Sequence, residues 1–295
     1  MCDQNKSNSG AKEEQITSDT SNASNEFLDG ACLSVKPTKH HSTSSNVAVM
    51  VTHRYAFEYK MSHPHRGLAM IFSHEHFNKK GLPSRPETVI DSENLSRVLK
   101  KLGFDVRIYK DLCHETLRET LNNAVGMDHS NNDCILIALL THGKNNKVYA
   151  HDHSYELERI WESFTADKCP TLAGKPKIII VQACRGNLRD PGYFVHSKGH
   201  TETDGDSECS YRIPRFADFL VAFCTVPNYR SWSNTLKGSW FIYNLCEELE
   251  ANAHSMNMLS LLTFVSQRVA NCESDETQEK QISCCMSTLT RVLNF

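Results

Sequence analysis

Two side chains in this sequence have the chemistry of a nucleophile and its base. Cys184 lies in the run Gln182-Ala183-Cys184-Arg185-Gly186, and His142 lies in Thr141-His142-Gly143. A thiol is a useful nucleophile near neutral pH only with a base or a positive environment beside it. An imidazole across a cleft supplies the base and later protonates a leaving amine. The chemistry would be amide-bond cleavage through a covalent intermediate. Taken singly, neither residue carries the assignment: a lone cysteine at a strand end is more often inert, and a lone histidine before glycine is more often a turn residue.

The elements that must position the pair are legible around it. Cys184 follows the apolar run Ile178-Ile179-Ile180-Val181, and His142 follows the apolar residues 134–140. Continuous apolar runs read as strands of a parallel sheet covered on both faces, and sites in such sheets form beyond the carboxyl ends of the strands. The separation of 42 residues between His142 and Cys184 suits neighbouring strands joined by one crossover helix, expected over residues 155–164. Further strand-like runs are Leu68–Ser73, 105–109 and 218–225, and the two site strands extend over 133–141 and 176–183. Helical spacing marks 91–102, His114–Val125, 239–249 and 256–269, and residues 287–295 are expected as a final edge strand. Strands alternating with helices predict an α/β fold with a mostly parallel sheet.

Composition excludes several classes. The chain has 295 residues, 39% of them hydrophobic, and a formal net charge of −3. No basic tract invites nucleic acid. No apolar run reaches the ~18 residues of a membrane span, and the first thirty residues lack a signal-type apolar stretch. The 12 cysteines are scattered, several of them in apolar runs where a free thiol packs as a small core residue. None has C-x-x-C or zinc-finger spacing, so neither a metal nor a cofactor is expected. A reducing, cytoplasmic setting fits this usage. Residues 1–50 are too polar to offset their ordering entropy and read as a disordered pro-segment. A second polar stretch between Asp190 and Arg215 is unusually long for a loop inside a compact domain, and such loops are usually functional.

The run around Cys184, with a histidine about 50 residues upstream, is a known caspase signature rather than a pattern that spacing alone would yield. Further segments resemble executioner caspases with a short pro-segment, of the insect type: His65-Arg66-Gly67, Asp128-His129-Ser130, Gly174-Lys175-Pro176-Lys177, Ala217-Asp218-Phe219-Leu220 and Gly238-Ser239-Trp240-Phe241. The resemblance runs from about His65 to Phe295. It implies a caspase-type six-stranded, mostly parallel sheet flanked by helices, built from a large and a small subunit cut from one chain. It also implies pairing of two such units through the last strand of the small subunit, and protein substrates cut after aspartate. Gly143 and Cys184 are then expected to offer backbone N–H groups to the oxyanion, glycine being needed for close backbone approach. Thr201-Glu202-Thr203-Asp204 before Gly205 and Glu26-Phe27-Leu28-Asp29 before Gly30 read as maturation sites. Cleavage there would separate a pro-segment 1–29, a large subunit 30–204 and a small subunit 205–295. An upstream initiator caspase would make these cuts, and inhibitor-of-apoptosis proteins are expected binders.

The substrate cleft departs from the family pattern. Arg85 and Gln182 match two of the three residues that read the substrate aspartate, and Ser231, Trp232, Asn234 and Trp240 keep their places around the third. The third, an arginine in the family, is Ser233 here, which supplies neither charge nor a bidentate fork. Pro86 and Glu87 replace a small residue and a glycine after Arg85, Arg230 replaces an aromatic, and Lys144-Asn145-Asn146-Lys147 replaces acidic and glycine residues after Gly143. The segment 271–283 is short and charged, without the aromatics that line outer pockets in some executioner members. A buried carboxylate left without one cationic partner typically costs about 2–5 kcal/mol, roughly 30- to several-thousand-fold in rate. Two readings follow. One is an active protease with altered specificity, acting as a homodimer. The other is a decoy that pairs with an active paralogous caspase or titrates its inhibitors.

Overall fold

The computed structural model describes residues 52–53, 55–189, 213–234, 237–274 and 277–295. The expected cleavage sites Asp29 and Asp204, and the boundaries they define, lie outside these residues. In chain order the elements are β1 (Leu68–Ser73), α1 (Glu87–Lys101), β2 (Asp105–Lys110), α2 (His114–Val125), β3 (Ile135–Leu140), β4 (Gly143–Lys144), β5 (Lys147–Tyr149), β6 (Ser154–Glu156), α3 (Glu158–Glu162), β7 (Lys177–Gln182), β8 (Gly186–Leu188), β9 (Phe219–Phe223), β10 (Asn228–Tyr229), β11 (Ser233–Asn234), β12 (Gly238–Ser239), α4 (Trp240–Asn252), α5 (Met258–Asn271) and β13 (Cys284–Ser287).

The main sheet has the order β13-β9-β7-β3-β1-β2, and only β13 runs antiparallel. This is the six-stranded, mostly parallel sheet expected. Its inner strands β1, β3, β7 and β9 are buried along their whole length, whereas β2 at the edge is mostly exposed. Alternation along each inner strand divides the core in two. Ala69, Leu136, Ile178, Ile180 and Leu220 pack on the α1, α4 and α5 side. Met70, Phe72, Ile137, Ile179 and Val221 pack with Leu117, Ile160 and Phe164 on the α2 and α3 side. Burial on both faces explains why these strands lack a polar alternation in the sequence.

Three expected boundaries move. The crossover helix predicted over 155–164 is only α3, because Tyr155 pairs with Val148 in the small sheet β4-β5-β6. Cross-strand pairing outweighed the local helical spacing. The predicted edge strand over 287–295 lies earlier, at β13, pairing Cys284 with Phe223 and Ser287 with Leu220. Beyond Thr288 the chain turns away, since Thr290 donates to Asp218, Leu293 enters the core and Val292 bridges Glu58. Helix α1 starts at Glu87 rather than at residue 91, with Glu87 in its first turn and Lys100 and Lys101 in its last. That placement of charge favours the helix dipole at both ends.

Candidate active site

β3 and β7 are neighbours in register, with Leu140 opposite Gln182, and Thr141 N–H donates to Gln182 O at 3.0 Å. The second residue after each strand end, His142 after β3 and Cys184 after β7, therefore lies beyond the same carboxyl end of the sheet. Gly143 packs so closely on this second segment that an added Cβ would collide with the Cys184 carbonyl oxygen. The close approach that requires glycine is thus made by the chain's own backbone.

The sulfur of Cys184 receives the N–H of Ser231 at 3.5 Å and lies 3.4 Å from its hydroxyl oxygen. His142 Nε2 lies 2.8 Å from the carbonyl oxygen of Pro83. A carbonyl only accepts, so Nε2 carries the proton and Nδ1 of the neutral ring is the acceptor. Among the described residues no hydrogen bond joins the His142 ring to the sulfur. The Cys184 thiol and the His142 ring are held separately, each by its own partner, an arrangement common where catalytic contacts are long without substrate. Burial lowers the pKa of His142, with the Arg85 guanidinium adding to this and the Pro83 carbonyl and Glu87 opposing. A ring kept neutral at pH 7 is competent to take a proton.

Arg85 is 6% exposed and donates from Nη1 to the Thr141 carbonyl, next to His142. Its Nε donates to Glu87 Oε1 at 3.2 Å. Gln182 is fully buried, with Nε2 donating to Ser231 Oγ at 3.4 Å, and its Oε1 has no hydrogen-bond partner among the described residues. Gln182, Ser231 and Cys184 thus form one cluster, and Arg85, Thr141 and His142 a second beside it. Ser233 and Asn234 are exposed on β11, which pairs with β12. Trp232 stacks on Trp240 with centroids 6.0 Å apart. These four side chains, with Tyr243 and Arg189, line a cavity of about 770 Å³.

Several groups at the site were not read from the sequence. The Pro83 carbonyl is backbone and carries no side-chain signal. Gln281, from the charged segment 271–283, accepts from Trp232 N–H at 2.6 Å and donates to Cys224 O at 2.7 Å, tying the cleft loop to the end of β9. Ser231 was expected in the substrate cleft, but its contact with the Cys184 sulfur was not. The unusual Lys144-Asn145-Asn146-Lys147 has a local explanation: Asn145 and Asn146 take φ of 51° and 62°, as the two-residue turn from β4 to β5 requires. Arg230 is exposed. Beneath the site, burial raises the Cys224 thiol to about 12, which leaves it inert. Among the described residues no group of three His, Cys, Asp or Glu side chains stands where it would hold a metal ion, and no helix is long and apolar enough to cross a membrane.

A family model described as the caspase domain matches residues 66–294. Caspase drICE of Drosophila melanogaster is 50% identical over 261 residues, covering 86% of this chain and 77% of that protein. Caspase-1 of Spodoptera frugiperda is 49% identical over 261 residues, covering 86% of each chain. The crystal structure of the Spodoptera protein superposes with a TM-score of 0.78 at 48% identity, covering 84% of this chain and 98% of the other. Both relatives are insect proteins, in line with the insect-type resemblance of the motifs.

Proposed function

The chain is a member of the caspase family of cysteine peptidases, and we propose that it is an endopeptidase of the executioner type whose cleavage after aspartate is weakened. In this reading His142 Nδ1 takes the Cys184 proton, and the thiolate attacks the substrate carbonyl carbon to form a C–S bond. The oxyanion is met by the N–H groups of Gly143 and Cys184. His142 then gives its proton to the leaving amine as the C–N bond breaks, and water hydrolyses the thioester. Arg85, Gln182, Ser231, Trp232, Ser233, Asn234 and Trp240 form the cleft. Activation is by an initiator caspase cutting after Asp204 and Asp29, giving large and small subunits in the cytoplasm. The edge strand β13 is the surface for pairing with a second copy or a paralogous caspase. The observation that supports the reading is that His142, oriented by Pro83, and Cys184, held by Ser231, each follow by two residues the ends of the paired strands β3 and β7.

A second reading, the decoy, is favoured by a specific observation: the buried Arg85 is already paired with Glu87, and Ser233 adds no charge. Such a chain would regulate an active paralogue or bind inhibitor-of-apoptosis proteins. A cleavage assay with blocked aspartyl peptides on the processed protein, beside a Cys184→Ala control, separates the two. The protease reading expects slow turnover that the control abolishes. Turnover equal to the control's, together with altered rates when the chain is mixed with an active insect caspase, would establish the decoy.

A further inference from the structure

The ion pair at the mouth of the site has a consequence for what the cleft accepts. Arg85 is the one cation buried beside His142 among the described residues, and a buried guanidinium is stable only when its charge is answered. Here the answer comes from within the chain. Pro86, at φ −61° and ψ −27°, turns the backbone so that Glu87, two residues on, brings its carboxylate to Arg85 Nε at 3.2 Å. Both side chains are mostly buried, 7% and 14% exposed, so water screens the pair little. The recess is therefore close to neutral before any substrate arrives. An incoming carboxylate would have to share Arg85 with Glu87, and two carboxylates on one buried cation repel each other. Ser233, where the family pattern has a cation, supplies no charge to compensate.

A second observation points the same way. Gln182 Oε1 is a buried acceptor with no partner among the described residues. An ionised aspartate has no proton to give it, whereas a side-chain amide has two. Asparagine has the size and shape of aspartate, brings donors for Gln182 Oε1 and for the Glu87 carboxylate, and adds no charge.

We infer that Glu87 is a specificity-determining residue: it takes the place of the substrate carboxylate on Arg85, so that the cleft selects an uncharged asparagine over aspartate at the residue preceding the scissile bond. This inference rests on the reading of the site as a peptide-cleaving cleft and deepens it. The weak cleavage after aspartate becomes a change of preference rather than a general loss.

Two blocked tetrapeptides that differ only in ending with asparagine or aspartate test it, titrated calorimetrically into the protein carrying Cys184→Ala after it has been processed by an active caspase. Binding is read without turnover. The asparagine peptide is expected to bind at least tenfold more tightly, a difference of about 1.4 kcal/mol. Adding Glu87→Gln, which keeps size and removes charge, is expected to shift the ratio of the two affinities at least tenfold toward aspartate. Should that variant melt early, Glu87→Ala serves in its place. Aspartate preferred by the unmodified cleft, or a ratio that changes less than threefold on Glu87→Gln, overturns the inference while leaving the peptide-binding reading intact. Failure of every version to bind either peptide overturns both.

Discussion

Charge at the proposed cleft is set by single side chains. The Arg85 guanidinium is held by Thr141 O and Glu87, and Ser233 stands exposed on β11. Restoring a cation with Ser233→Arg is expected to raise kcat/KM for aspartyl peptides at least about tenfold, because a charge pair restored in a partly buried cleft is worth more than about 1.4 kcal/mol. Trp232, Asn234 and Trp240 flank the position and keep the loop in place. Steady-state kinetics of the processed protein measure the effect. Adding Glu87→Gly is expected to raise the rate again by releasing Arg85. Rescue seen only in the double variant would mean a cleft disabled at two independent points. Equal rates for the unmodified protein and Ser233→Arg would show that Arg85 and Gln182 suffice.

The cleft loop depends on a joint between elements. Asp91 of α1 accepts from Ser239 N–H at 2.7 Å and Ser239 Oγ at 2.5 Å, which fastens α1 to the N-terminus of α4. An anion at a helix N-terminus is favourable in itself. Gly238 beside it sits at φ +85°, and an added Cβ would collide with Asp91 Oδ1. Gly238→Ala combines a left-handed backbone penalty of about 1–2 kcal/mol with a disturbed buried hydrogen bond of about 1–3 kcal/mol. Urea unfolding is therefore expected to show a loss of about 2–5 kcal/mol. Cleavage should also fall, since β11 pairs with β12 through Gly238 and Ser239. Motif matching marked Gly238 and Ser239 as family residues. Asp91 as their partner was not legible, because 148 positions separate the two in sequence.

Across the whole molecule, two buried groups set opposing pH responses. His74 is 1% exposed with neither ring nitrogen partnered among the described residues, and burial lowers its pKa to about 4, Arg85 and His151 adding to this and Asp111 opposing. The unfolded chain takes up that proton near the ordinary value of 6.5, so the contribution of His74 is present above pH 6.5 and is lost as pH falls through 4. Asp91 runs the other way. Burial raises it to about 6, so its contribution is present below 3.8 and is lost as pH rises through 6. Each is worth about 3 kcal/mol, and together they nearly cancel between pH 6 and 4. His74→Asn should make the protein gain stability on acidification relative to the parent, and Asp91→Asn should make it lose stability, each by about 2 kcal/mol between pH 7 and 4.5. Urea midpoints at pH 7 and 4.5 measure the difference. Processing also belongs to this scale. Thr201-Glu202-Thr203-Asp204 lies in the polar stretch between β8 and β9, whose flanking strand β9 pairs with β7 in the main sheet. An active executioner caspase is expected to cut the full chain after Asp204, and Asp204→Ala to prevent it on a denaturing gel. Unchanged fragments from that variant would move the cut, with Asp206 the next position to test.

The sequence by itself determined the parts that depend on local composition. Apolar runs long enough to be buried on both faces fixed the inner strands, helical spacing fixed α2, and the Cys184 and His142 motifs fixed the family. Covalent continuity made these readable, because each signal sits within a dozen neighbouring residues. Tertiary structure decided what depends on residues meeting across the chain. Cross-strand pairing, a non-local interaction, shortened α3 and moved the edge strand to β13. The carbonyl of Pro83 reached His142, Gln281 clamped Trp232, and Ser231 came to the sulfur by backbone geometry that no residue type announces. The Glu87 carboxylate was legible as an anomaly in the motif, but its engagement of Arg85 required Pro86 to turn the chain in a buried recess, where an unanswered charge is too costly to persist.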